Sequence, residues 1–159
     1  MSYFNQNFQG STLPTDSAIF KQEIINEVQA LNEKNPPMER LLGTVISVDI
    51  DGIEFIETEV GISNEGQKLT GTKLLVKLRL QEKTTYVGDH KTQPVHAEYF
   101  ESRRNFFVIL PEKIDGLDFC EYQDRLIVTP YIEDVETRML DDRHLQKCIM
   151  IFIDVRVSK

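Results

Sequence analysis

Strict alternation of apolar and polar side chains runs through the C-terminal half of the chain. Leu74, Val76, Leu78 and Leu80 alternate with Lys73, Lys77, Arg79 and Gln81. In the last segment Ile149, Ile151, Ile153, Val155 and Val157 share one face, with Asp154, Arg156 and Ser158 opposite. A period of two makes a half-buried strand, because successive side chains point to opposite faces of a sheet. From Arg40 onward, turn signals recur every eight to fifteen residues, the spacing of a sandwich or barrel. Leu41–Ile50 and Ile53–Ile62 flank Asp51-Gly52, which predicts a two-residue hairpin. Asn64-Glu65-Gly66 and Thr70-Gly71 lead into a strand over Leu74–Tyr86, and Gly88-Asp89 opens a polar loop through Pro94. Val95–Phe100 and Phe106–Leu110 read as strands broken by Ser102-Arg103-Arg104, and Asp115-Gly116 turns the chain again. Leu126–Val128 and Tyr131–Met139 follow, and Asp141-Asp142-Arg143 returns the chain into Lys147–Val157. The expectation is a mainly β chain, an antiparallel β-sandwich of about eight or nine strands.

One segment breaks the period of two. Phe20, Ile24, Val28 and Leu31 recur at spacings of four, four and three, with Ile25 widening the stripe, which predicts an amphipathic helix over residues 16–34. Asp16 or Ser17 would cap it, and Asn35-Pro36-Pro37 would end it. Its stripe would pack on the sheet or serve as a partner-binding surface, with Phe20, Ile24 and Val28 as the contact residues. Residues 1–14 form a polar arm of Asn, Gln, Ser and Gly carrying Tyr3, Phe4 and Phe8. Such a composition cannot bury itself, yet three aromatics are a large apolar payload, suited to docking on a neighbouring subunit. The expected organisation is an arm over 1–14, a helix and linker over 15–37, and a β domain over 38–159.

Composition narrows the function classes. The 159 residues carry a net charge of −8, which disfavours a phosphate-backbone partner. Arg103-Arg104 is the nearest basic patch, and Glu98 and Glu101 precede it. No apolar run approaches the roughly 20 residues that span a bilayer, and Met1 to Pro14 lacks the pattern of a signal peptide. Synthesis in a cytoplasm, with neither nucleic acid nor membrane as partner, is the expectation. Cys120 and Cys148 are the only cysteines. In a reducing compartment they read as small buried hydrophobes, and later oxidation would make them a cross-link; both readings stay open.

Candidate chemistry is sparse. His144 and Cys148 would sit together on a helix, but on a strand their spacing of four puts them about 13 Å apart. No C-x-x-C or H-x-x-x-H is present to complete a metal site. Asp49-Ile50-Asp51-Gly52 lacks the remaining oxygen donors of a calcium loop. Glu57 and Glu59 share a face of a predicted strand, where a solvated surface explains them better than acid–base work. No G-x-S-x-G elbow or glycine-rich phosphate loop occurs. Most of Tyr99, Phe100, Phe106 and Phe107 should belong to the core, since adjacent apolar pairs in a sandwich strand can face core and flank, with one pair member left outward as an interface anchor. The expectation is a chain with no catalytic residues, no metal and no cofactor.

The order TGTKLLVKLRLQEKTTYVG, then PVHAEYFESRRNFFVILPEKI, then RLIVTPYIEDVETRMLDDRHLQKCIMIFIDVRV resembles the SPOCS domain, named for structural proteins of the outer coat of spores in spore-forming Firmicutes. The matching features are Tyr86, Phe106 or Phe107, and Ile109-Leu110-Pro111, within roughly residues 38–157. The resemblance implies a non-enzymatic structural protein made in the mother-cell cytoplasm and carried to the coat or exosporium. It would partner with itself and with other spore-coat proteins. No peptidoglycan-binding LysM module, which some members carry, is found. The expected function is self-assembly through sheet edges and the arm; the alternative is a monomeric adaptor on a coat morphogenetic protein.

Overall fold

The computed structural model describes residues 13–159, so Tyr3, Phe4 and Phe8 lie outside the described residues. Six long strands carry the fold: β1 (Ile19–Ala30), β2 (Met38–Glu57), β5 (Thr72–Gly88), β6 (Val95–Ile109), β9 (Leu126–Met139) and β10 (His144–Val157). Two small hairpins, β3 (Gly61–Ile62) with β4 (Lys68–Leu69) and β7 (Lys113–Ile114) with β8 (Leu117–Asp118), decorate one end. A single helical turn, α1 (Phe119–Tyr122), and a 3₁₀ turn at Gln123–Arg125 lead into β9. The sheets are antiparallel, with strand orders β1-β10-β9 and β2-β5-β6.

The two sheets share one apolar core. Leu74, Val76, Leu78 and Leu80 of β5 pack with Ile149, Ile151, Ile153 and Val155 of β10 in a single buried cluster. Both alternating runs therefore turn inward as their period requires, and Lys73, Lys77, Arg79 and Gln81 of β5 lie on the opposite face, while Asp154 of β10 is buried on its own outer face. A second cluster, Leu31, Met38, Leu41, Tyr86 and Leu145, closes one end. There the β1–β2 connector is pinned to the β9–β10 turn: the Leu31 amide donates to the Arg143 carbonyl at 2.8 Å and the Met38 amide to Asp142 at 2.7 Å.

Residues 16–34 are not a helix. Ile19–Ala30 pairs along its whole length with β10 as an edge strand, without a register shift. Phe20, Ile24 and Val28 are spaced by four, an even number, so one face of a strand holds them as well as one face of a helix does. Ile19, Ile24, Ile25 and Val28 are β-branched and favour the strand. The free edge of β10 then decides, since it offers backbone partners to every residue of β1.

Three predicted breaks are absent as well. Asp51-Gly52 is not a hairpin turn: β2 runs on through it against β5, with a register shift between Ile50 and Gly52 that leaves Asp51 unpaired. The inward row passes from Ile46, Val48 and Ile50 to Ile53 and Phe55, and a one-residue bulge produces that change of phase without reversing the chain. Ser102-Arg103-Arg104 lies within continuous β6. Leu126–Val128 and Tyr131–Met139 are one strand, bulged at Glu133. The other turn signals fall where expected. Asp115 and Gly116 both take positive φ, 52° and 79°, in the tight turn between β7 and β8.

Candidate functional site

Three of the sequence-predicted contact residues come together on one surface. Phe20, Ile24 and Val28 are 49%, 57% and 61% exposed, so the stripe expected either to pack on the sheet or to meet a partner is turned to solvent on the outer face of β1. Beside it Phe20 stacks on Phe152 with ring centroids 5.4 Å apart, and Tyr131 tilts against Phe152 at 6.3 Å. Met150 lies next to Ile24 in the register. The inward face of β1 carries Ile19, Lys21, Glu23, Ile25, Glu27 and Gln29 in sequence. The usual polarity of a surface strand is thus inverted, with apolar and amide side chains outside and all three charges inside.

The four sheet edges differ in how they are guarded. A bare edge presents unpaired backbone groups to any other strand, and bulges, prolines and charges discourage such pairing. Strand β2 has three register shifts against β5. Strand β9 holds Pro130, the Glu133 bulge, and Glu136 and Arg138 on its outer face. Strand β6 is regular but carries Glu101 and Arg103 outward. Strand β1 has no bulge, no proline and no outward charge.

The outer face of β2-β5-β6 is held by ion pairs instead. Lys77 meets Glu54 at 2.6 Å, Arg79 meets Asp49 at 3.5 Å, and Arg103 pairs with Asp51. Tyr99 and Phe107 are exposed on this face, while Phe100 and Phe106 point inward, so two of the four aromatics lie outside the core rather than one, because continuous β6 keeps its period of two through both pairs. An open groove of about 680 Å³ runs along the side where β1 and β6 lie near each other, with Ala18, Phe20 and Lys21 on one wall and Phe107 and Ile109 on the other.

The interior holds a polar cluster that sequence reasoning missed. Glu82 of β5 and Lys147 of β10 are fully buried, with Lys147 Nζ 3.9 Å from Glu82 Oε1. Gln29 of β1 bridges them: its Nε2 donates to Glu82 Oε2 at 3.0 Å, and Lys147 donates to its Oε1. The ammonium also lies 4.5 Å from the centre of the Phe100 ring. Glu27 of β1 pairs with Arg104 of β6 at 3.3 Å. Burial, and then a hydrogen bond with Glu27, push the Glu82 carboxyl up to about 7. Burial pulls Lys147 down, against the attraction of Glu82, Glu27 and Glu98. Among the described residues, Glu82 Oε1 and the Thr137 hydroxyl have no hydrogen-bond partner. The signal was present in the alternation itself. Glu82 continues the even row from Leu74 to Leu80, and Lys147 sits in the odd row between Leu145 and Ile149.

The remaining candidates stay apart. His144 Nδ1 lies 2.9 Å from both carboxylate oxygens of Asp141 in the β9–β10 turn, away from the half-buried Cys148. Cys120 is exposed on α1 rather than buried, and both thiols are free. Burial, then Glu136 and Asp134, raise the Cys148 thiol. Glu57 ends β2, and Glu59 falls in the loop beyond it. Among the described residues, no three His, Cys, Asp or Glu side chains gather as a metal site. No family model, no curated protein and no solved structure matches the chain.

Proposed function

We propose that this chain is a non-enzymatic structural subunit, an antiparallel β-sandwich that builds a larger assembly by pairing sheet edges, with residues 1–14 as a second contact. The observation that carries the reading is β1: a regular, twelve-residue edge strand with Phe20, Ile24 and Val28 turned to solvent. Apolar area left on an unguarded edge is costly in water and is relieved when another strand covers it.

The setting, a spore coat or exosporium, is drawn from the resemblance of residues 38–157 to the SPOCS domain. In that setting the chain is made in the mother-cell cytoplasm, ends at the spore surface, and contacts copies of itself and other coat proteins. Its net charge of −8 disfavours a nucleic-acid partner.

Light scattering after size exclusion, with negative-stain images, tests the reading. Multimers growing with concentration are expected, and a monomer at every concentration overturns it. Deleting residues 1–14 is expected to shorten or abolish the multimers while leaving a folded chain. Unchanged multimers after that deletion remove the arm from the assembly.

A further inference from the structure

The outward side of β1 reads Phe20, Gln22, Ile24, Asn26, Val28, an order of apolar, amide, apolar, amide, apolar that is symmetric about Ile24. In an antiparallel ladder, directly opposed residues lie on the same face of the sheet, so a strand can pair with its own copy only about a residue that faces itself. We infer that two copies join β1 to β1 about a twofold axis at Ile24, making one continuous six-stranded sheet. The inference rests on the assembly reading above and narrows it to one edge, one partner and one register.

In that register Phe20 faces Val28 of the second copy, Ile24 faces Ile24, and Gln22 faces Asn26, whose amides can donate to and accept from each other. The stripe that each copy exposes to water lies beside the same stripe on the other and makes lateral side-chain contacts with it, the self-complementarity a twofold interface requires. The inward face agrees independently. Lys21 falls opposite Glu27 of the second copy at both ends of the ladder, and Glu23 falls opposite Ile25. Opposed unlike charges stabilise a cross-strand pair, and opposed like charges destabilise it.

Registers one residue away fail on the same rule. Centred on Glu23, the ladder sets Glu23 against Glu23. Centred on Ile25, it sets Glu23 against Glu27 twice. Centred on Gln22, it opposes Lys21 to Glu23 but leaves Val28 opposite Asp16, beyond the end of the strand, and so forfeits part of the ladder. The inward charges of β1 therefore reject the registers one residue to either side, and the length of the strand disfavours those centred farther from Ile24, as inward charges and short edges do on natural sheets.

Cysteine cross-linking reads the register directly, because directly opposed Cβ atoms sit about 4.5–5.5 Å apart, near disulfide range. In a Cys120→Ser, Cys148→Ser background, Ile24→Cys alone is expected to give an oxidised dimer. Gln22→Cys and Asn26→Cys are each expected to cross-link poorly alone and readily when mixed. Ile24→Lys, which sets two ammonium groups face to face, is expected to weaken dimerisation by ~100-fold. Circular dichroism checks that this exposed substitution leaves the fold intact. Multimers that persist while Ile24→Cys fails to cross-link, or a folded Ile24→Lys variant that still dimerises, overturn the β1 pairing and leave the assembly reading standing. A protein that never self-associates overturns both.

Discussion

The interior has two unlike halves built from the same strands. Near the hairpin end, β5 and β10 face each other with Leu74, Val76, Leu78 and Leu80 against Ile149, Ile151, Ile153 and Val155. Toward the other end the same two rows continue as Glu82 and Thr84 on β5 and Lys147 on β10, joined by Gln29 and Glu27 from β1. The apolar half is tolerant glue, since hydrophobic attraction has no direction. The polar half is exacting, because each buried donor or acceptor needs its own partner at its own place. Edge strand β1 reaches into both: Ile25 anchors it in the first and Gln29 in the second. Its fit between the sheets is therefore fixed by polar contacts as much as by packing.

The largest expected effect falls in the apolar half. Ile151→Ala should remove about 3–4 kcal/mol of unfolding free energy in urea titrations, the cost of a cavity at a side chain that is 1% exposed. In the polar half, Lys147→Met alone should cost about 3 kcal/mol at pH 8, by stranding the Glu82 carboxylate, whereas Glu82→Leu with Lys147→Met should match or exceed the wild type. A double variant less stable than the wild type would mean that the polar half contributes net stability.

Acidity separates the halves further. Glu82 is shifted from 4.5 to about 7, so between those values the folded chain binds more protons than the unfolded one. Stability from this group is then highest at the acid end of the window and falls as pH rises toward 7, by at most about 3 kcal/mol. Lys147, held below its ordinary value, acts in the opposite sense on the alkaline side. Glu82→Gln should flatten the decline between pH 4.5 and 7, whereas Ile151→Ala should shift the whole curve without changing its slope. The smallest effect belongs to the surface. Lys77→Ala breaks an exposed pair with Glu54 and should cost under ~1 kcal/mol, less at high salt.

The β character was legible because the inward rows of β5 and β10 keep a strict period of two over most of their length. What stayed hidden followed from ambiguity in that same pattern. A spacing of four satisfies helix and strand alike, so Phe20, Ile24 and Val28 share one face in either element and the pattern alone does not choose between them. A change of phase at Asp51-Gly52 is the mark of a turn or of a bulge, and only the uninterrupted partner strand β5 distinguishes them. The guarded or bare state of an edge depends on which strands end up outermost, and no local pattern carries that information. The Glu82–Lys147 contact needs two rows far apart in sequence to be set in register, although each row places its own charge inward.

The two thiols are unequal reagents. Attack on an alkylating agent or a disulfide runs through the thiolate, whose supply at neutral pH shrinks as the acid dissociation of the thiol is suppressed. Cys148, half covered and flanked by Glu136 and Asp134, is starved of thiolate, while Cys120 stands open on α1. Iodoacetamide should consume Cys120 first and Cys148 slowly, so oxidative stapling between copies would run through α1 and leave the face around β10 to be joined by noncovalent contact alone.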